Sequence, residues 1–339
     1  MKAVFLLKDG KLVYEEVKKP PLKGNWVLVR IKACGLCGSD IQRIKNKEQW
    51  PAKKIVLGHE ISGVVESVGN EKDFSKIGQR VIVMPLIPCN RCAFCKVGAT
   101  ELCMNLSSLG KNLSGGFAEY VAAPLENISK IPQNLSFELA TITDVVATSV
   151  HCHNMLGEPK GMNVGIYGDG AVALACTLLM LKKGNRVTII GKHNKNMQIA
   201  RSFGSDVISF VEAKKLHNTF DYAIESVGRT QDATVNSAII ALQRKGTLAV
   251  CGVFRPDYLG GIRLRDIFSK EITLLGINSY GKYKGRSEFA DALNFLCENK
   301  KSFSKIITHT FPLSCFKAGV AAAANKKRSG AIKVLFRPD

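Results

Sequence analysis

Residues 164–173 read VGIYGDGAVA, and the fold turns on how they are read. The apolar run 164–167 has the make-up of a short buried strand. Gly168 permits a tight turn, Gly170 leaves room for a pyrophosphate, and Ala173 is small enough for a following helix to lie close against the strand. Residues 171–181 supply that helix, whose first free N–H groups can face phosphate oxygens. Gly168, Asp169, Gly170, Ala171 and Val172 are therefore the candidate cradle for a dinucleotide.

Working outward, strands at 186–190, 221–224 and 247–253 alternate with helices at 197–203 and 232–242. Such βα repeats build a doubly wound α/β domain with helices on both faces of a parallel sheet. Residues 270–276 and a helix at 286–297 extend it. In this fold the second strand commonly ends in Asp or Glu, which holds the ribose 2′-hydroxyl of NAD. Here it runs into Gly191-Lys192-His193-Asn194-Lys195. An acid would repel a 2′-phosphate, whereas glycine followed by Lys192 and Lys195 gives it room and charge, so NADP(H) is expected over NAD(H).

The first 150 residues have another character, with short apolar or alternating runs at 3–7, 26–33, 61–68, 80–84 and 118–122 and few long helices. The tail, with strands at 306–309 and 331–336 around a helix at 314–324, fits either layer by pattern. A length of 339 residues at 46% hydrophobic composition suits two domains. The start MKAVFLLKDGKLVYEEV turns at Lys8-Asp9-Gly10 and reads as a hairpin rather than a signal peptide. No run of 18 apolar residues occurs, so no membrane association and a cytoplasmic protein are expected. The formal charge of +20 would suit anions, yet no nucleic-acid motif accompanies it, and the seven Tyr and two Trp are dispersed. A phosphorylated cofactor or small-molecule substrate accounts for the charge more simply than a regulatory, non-catalytic nucleic-acid-binding role.

Eleven cysteines in a long chain whose opening residues read as a hairpin rather than a leader point to metal ligation rather than disulfides. The spacing Cys89-x2-Cys92-x2-Cys95-x7-Cys103 can close four thiolates around a structural zinc. An iron–sulfur cluster uses similar spacing, but no second cluster motif is present. Metal-compatible groups also occur in Cys34-Gly-Leu-Cys37-Gly-Ser39-Asp40 and in Gly58-His59-Glu60, and pattern alone leaves Cys34 and Cys37 open as ligands.

The chain resembles the medium-chain zinc alcohol and polyol dehydrogenases along essentially its whole length, through GLCGSD at 35–40, GHEISGVVESVG at 58–69, GGFAEYV at 115–121 and the strand–GDG–helix at 164–173. The resemblance implies a β-rich GroES-like catalytic domain, 1–150 and 296–339, with a Rossmann cofactor domain, 151–295, inserted. It implies a catalytic zinc on Cys37 and His59, with Glu60 beside the metal and able to enter its shell, and Asp144, seven residues before His151, as third ligand. Ser39 fits the first hydroxyl of a proton relay and Asp40 an acceptor orienting His59, while Gln42 stands where many relatives continue the relay with histidine. The four-cysteine segment matches the family's structural-zinc lobe. Two groups within the family look nearest, the NAD-dependent galactitol-1-phosphate and sorbitol-type dehydrogenases and the NADPH-dependent ribulose-5-phosphate reductases. Both imply a polyol or polyol phosphate as substrate. Arg43, Lys45, Lys47, Lys282, Lys284 and Arg286 are the cations that could meet a phosphate. A homodimer or homotetramer is the family expectation, with the edge strand near 274–278 able to pair between copies.

Overall fold

In the computed structural model, which describes residues 1–22, 24–229, 232–255 and 258–339, the strand Asn163–Tyr167 lies inside a six-stranded sheet. The strands run in the order Asp206–Ser209, Arg186–Gly191, Asn163–Tyr167, Phe220–Glu225, Leu242–Val250 and Thr273–Gly276, and every pairing is parallel. Numbered along the chain this is 3-2-1-4-5-6, the order of a Rossmann sheet. The helix Ala171–Lys182 starts at an extended Gly170 and is buried all round from Ala173 to Met180, which is why its sequence shows no polar face. The helix Asn194–Phe203 ends on Gly204 in the left-handed conformation, a common helix stop. Leu264, Phe268 and Leu274, on and beside the edge strand Thr273–Gly276, are exposed.

This unit spans Val145–Tyr283, and the other comprises Met1–Asp144 with Lys284–Asp339. The divisions thus fall earlier than the sequence reading at 150 and 295. The helix Glu288–Glu298, expected to extend the parallel sheet, goes with the first unit. Phe295 packs edge-on against Phe303 at 5.8 Å, tying the helix to the segment that follows it.

The first unit is built on a seven-stranded sheet ordered Ile128–Lys130, Arg80–Val83, Glu60–Val68, Trp26–Leu36, Lys333–Arg337 and Ile307–Pro312, with Tyr120–Pro124 also paired to Trp26–Leu36. The tail strand Lys333–Arg337, unassigned by pattern, runs antiparallel to Trp26–Leu36, with Leu335 opposite Gly35 and Phe336 opposite Cys34. On the other side of Trp26–Leu36, Gly35 pairs with Glu60. Phe336 meets Phe117 of the GGF segment edge to face, centroids 5.0 Å apart, a contact worth about 0.5–1.5 kcal/mol beyond its burial. Three segments far apart in sequence are thereby fixed side by side. Among the described residues no helix is long and apolar enough to cross a membrane.

Candidate metal and cofactor sites

Trp26–Leu36 delivers Cys37 to the N-terminus of the helix Gly38–Lys45, where it occupies the cap position. His59 sits in the turn just before Glu60–Val68. Asp40, 3% exposed, joins the two segments: its carboxylate accepts the Cys37 amide at 2.9 Å and the Gly58 amide at 3.4 Å, and Oδ1 lies 3.6 Å from His59 Nδ1. The imidazole's pKa stands well above the ordinary value; burial works against the cation, but the charge and hydrogen bond of Asp40, together with Cys37, outweigh it.

Donor atoms of Cys37, His59 and Glu60 all lie within 4.8 Å of one another. Thiolate, imidazole and carboxylate are zinc's usual ligand types, so the donor set fits a zinc ion. Asp144 stands beside this group rather than in it, its Oδ2 4.0 Å from His59 Nε2. Cys34, open as an alternative by pattern, is a wholly buried core residue of the central strand; a Cβ added at Gly58 or at Gly116 would come within 2.8 Å of its sulfur. Ser39 is exposed in the first turn of the helix that Cys37 caps.

Sequence reasoning missed Lys333. Its Nζ donates to both oxygens of Glu60, at 2.6 and 2.8 Å, and the two residues are 3% and 0% exposed. The space for the carboxylate exists because residue 35 is glycine: a Cβ there would lie 1.8 Å from Glu60 Oε2. Burial raises the Glu60 carboxyl against the pull of Lys333 and His59. Burial also disfavours the Lys333 ammonium, but Glu60, Cys37 and Asp144 more than compensate and raise its pKa. A lysine at the start of an apolar strand, Lys333-Val-Leu-Phe, looks like a solvated end until the strand's neighbours are known.

Cys89, Cys92, Cys95 and Cys103 bring their sulfurs within 4.8 Å of one another. Cys92 Sγ is 3.5 Å from Cys95 Sγ and 3.9 Å from Cys103 Sγ, and the Cys89 amide donates to Cys103 Sγ at 3.2 Å. The Arg91 and Cys92 amides hold the Cys89 thiol down to about 6, in the range where thiolate is available. Four convergent sulfurs fit a closed tetrahedral zinc site.

In the second unit Gly168 has φ of +122°, a conformation glycine adopts freely, and a Cβ at Gly170 would meet nothing within 4 Å. Open space thus lies over the N-terminus of the helix Ala171–Lys182, with Ala171 and Val172 in its first turn, and the cradle fits a pyrophosphate. Gly191 closes the adjacent strand, and Lys192 and Lys195 beyond it are exposed. The room above Gly191, read from sequence as space for a 2′-phosphate, is taken by Asp169: a Cβ there would lie 2.9 Å from its Oδ2.

Of the phosphate-binding candidates, Arg43 is committed to structure. It donates to the carbonyls of Gln49 at 3.2 Å, Gly110 at 3.1 Å and Lys111 at 2.6 Å. Lys45, Lys47, Lys282, Lys284 and Arg286 are exposed.

Residues 23–133 match the alcohol dehydrogenase GroES-like domain, and residues 171–298 match the zinc-binding dehydrogenase family. The chain is 31% identical over 337 residues to an L-threonine 3-dehydrogenase of Vibrio parahaemolyticus, covering 94% of each protein. The crystal structure of galactitol-1-phosphate dehydrogenase from Escherichia coli is similar with a TM-score of 0.87 and 28% identity over 100% of both chains. A dehydrogenase structure from Sinorhizobium meliloti, bound to NADP, is similar with a TM-score of 0.87 and 25% identity over 99% of both chains. Likeness that runs through both units, and reaches 31% identity with a full-length relative, makes this chain a member of the medium-chain zinc-dependent alcohol dehydrogenases.

Proposed function

We propose that the chain interconverts a secondary alcohol and its ketone on a polyol or polyol phosphate, with NADP(H) preferred over NAD(H), one zinc at the Cys37 group and one at the four-cysteine lobe. The observation that carries the reading is the convergence of Cys37, His59 and Glu60, with Asp144 adjacent, in a protein of this family. Zinc held by the Cys37 group would supply Lewis acidity toward a hydroxyl or carbonyl oxygen, and a nicotinamide cofactor held at the Gly168–Gly170 turn would supply the hydride-transfer chemistry.

The chain's own residues do the rest. Asp40 fixes the His59 ring and the Cys37 turn with one carboxylate. Ser39, an exposed residue and the second of the helix Gly38–Lys45, takes the alcohol proton on its hydroxyl and hands its own to solvent. Lys333 pairs with both Glu60 oxygens and supplies the buried carboxyl with its counter-charge. The polyol reading draws on the full-length similarity to galactitol-1-phosphate dehydrogenase, and the NADP(H) reading on Lys192 and Lys195 with no acid from 190 to 201. A homodimer through the edge strand Thr273–Gly276 is supported by the exposed Leu264, Phe268 and Leu274. Free cysteines throughout the chain suit the reducing cytoplasm.

Purified protein assayed against sugar alcohols, ketoses and their phosphates with NADP(H) and NAD(H) tests the reading. The Cys37→Ala variant should lose turnover and zinc while still binding NADPH. Unchanged turnover would overturn the metal assignment. Lys192→Asp should weaken NADPH binding more than NADH binding, and equal effects would remove the phosphate reading.

A further inference from the structure

We infer that Asp169, the middle residue of the GDG turn, is a positioning residue for cofactor choice: it fixes the loop after the second strand so that His193 and its lysine neighbours face the adenosine 2′-position. The inference deepens the NADP(H) reading above and rests on it.

Gly168 donates to Ile190 O at 2.9 Å, so the turn after the first strand lies against the end of the second. From there the Asp169 carboxylate reaches across. Oδ2 accepts the amides of Lys192 and His193, each at 2.7 Å, and the His193 ring Nδ1 lies 2.9 Å from Oδ1 and 3.0 Å from Oδ2. The backbone carbonyl of Asp169 accepts from the side chain of Asn196 at 2.8 Å, inside the next helix. One residue therefore ties the first crossover turn to residues 192, 193 and 196 of the second. A side chain at 191 would collide with that carboxylate, so the glycine serves Asp169 first.

A carboxylate at this place invites the opposite reading, that it replaces the missing acid of the second strand and accepts the ribose hydroxyl. Its surroundings argue against that. Asp169 is 8% exposed, and both its oxygens already face N–H groups. What the loop presents outward is the partly exposed imidazole of His193 and the exposed Lys192 and Lys195, with no acid between residues 190 and 201. Donors in this arrangement recognise a phosphate, and the carboxylate behind them keeps the imidazole and the turn in register.

The test is direct binding, read by fluorescence titration of NADPH and NADH on wild type, Asp169→Asn and His193→Ala, with melting temperature measured alongside. Asp169→Asn is expected to weaken NADPH about tenfold, roughly 1.4 kcal/mol, and NADH about threefold or less, so that the ratio of dissociation constants falls. His193→Ala should reproduce the fall in ratio with less change in melting temperature. A ratio unchanged in both variants overturns the inference. A ratio that moves toward NADPH in Asp169→Asn overturns it too, because the carboxylate would then be repelling the phosphate. If wild type itself binds NADH more tightly, the NADP(H) reading fails, an outcome the wild-type titration alone reports.

Discussion

Replacing Lys333 with methionine keeps most of the side-chain volume and removes one charge, leaving Glu60 in a site with no exposed surface. Breaking a buried pair by deleting one partner costs about 3–5 kcal/mol. The structure allows an independent bound. With its ammonium partner gone, the carboxyl escapes by taking up a proton, and keeping a group of ordinary pKa about 4.3 protonated at pH 7 costs about 3.7 kcal/mol relative to the unfolded chain. The two figures agree, so roughly 4 kcal/mol is the upper bound on the loss at pH 7, reduced by the share that the wild-type carboxyl, itself raised by burial, already bears. Its sign with pH follows. A carboxyl whose folded pKa lies above its unfolded value loses stability as pH rises past the unfolded value, so the penalty shrinks on acidification, to about 1 kcal/mol at pH 5. For a folding unit of this size, about 2–4 °C per kcal/mol gives a melting point at most roughly 8–16 °C below wild type at pH 7. The measurement is calorimetry of metal-free wild type, Lys333→Met, Glu60→Gln and the double variant at pH 7 and pH 5. The double variant should regain most of the loss, since no buried charge remains. A Lys333→Met protein that melts with wild type at pH 7, or a gap that does not narrow at pH 5, would refute the reasoning.

Two further outcomes are expected. His153 is 6% exposed with its Nδ1 unpartnered, and burial, reinforced by Lys183, pushes its pKa from 6.5 down to about 4. The folded state holds it neutral, so the unfolded chain binds more protons between pH 6.5 and 4, and stability falls as pH drops through that window. Up to about 3 kcal/mol is at stake, and His153→Leu should flatten the acid side of the stability profile; an unaltered profile would show that His153 is not the group responsible. Cys89→Ser should reduce zinc by one ion per chain and expose the loop around 89–103 to protease while leaving the Cys37 zinc in place, as elemental analysis and limited proteolysis would read. Full zinc retention in that variant would dismiss the lobe as a metal site.

What could be read from sequence alone was whatever local spacing encodes. The glycines of the GDG turn, the alternation of strands and helices after residue 163 and the four-cysteine cluster each place their chemistry within a short stretch, so the parallel sheet and the lobe were legible. Lys333 was not, because its meaning depends on strand pairing across most of the chain: only when Leu335 lies opposite Gly35, and Gly35 opposite Glu60, does a terminal lysine become the counter-charge of a buried carboxylate. The same limit explains Gly191. A missing side chain at the end of the second strand reads as vacancy for a ligand, whereas the fold fills it with a carboxylate from the neighbouring turn. In both places a glycine (Gly35 and Gly191) marks where an acid from another segment comes to rest. A glycine beside a site motif is therefore better treated as a question about what approaches it than as open room, and in this chain the answer each time is a carboxylate held by N–H donors, one beside Cys37 and His59 and one against the loop after the second strand of the parallel sheet.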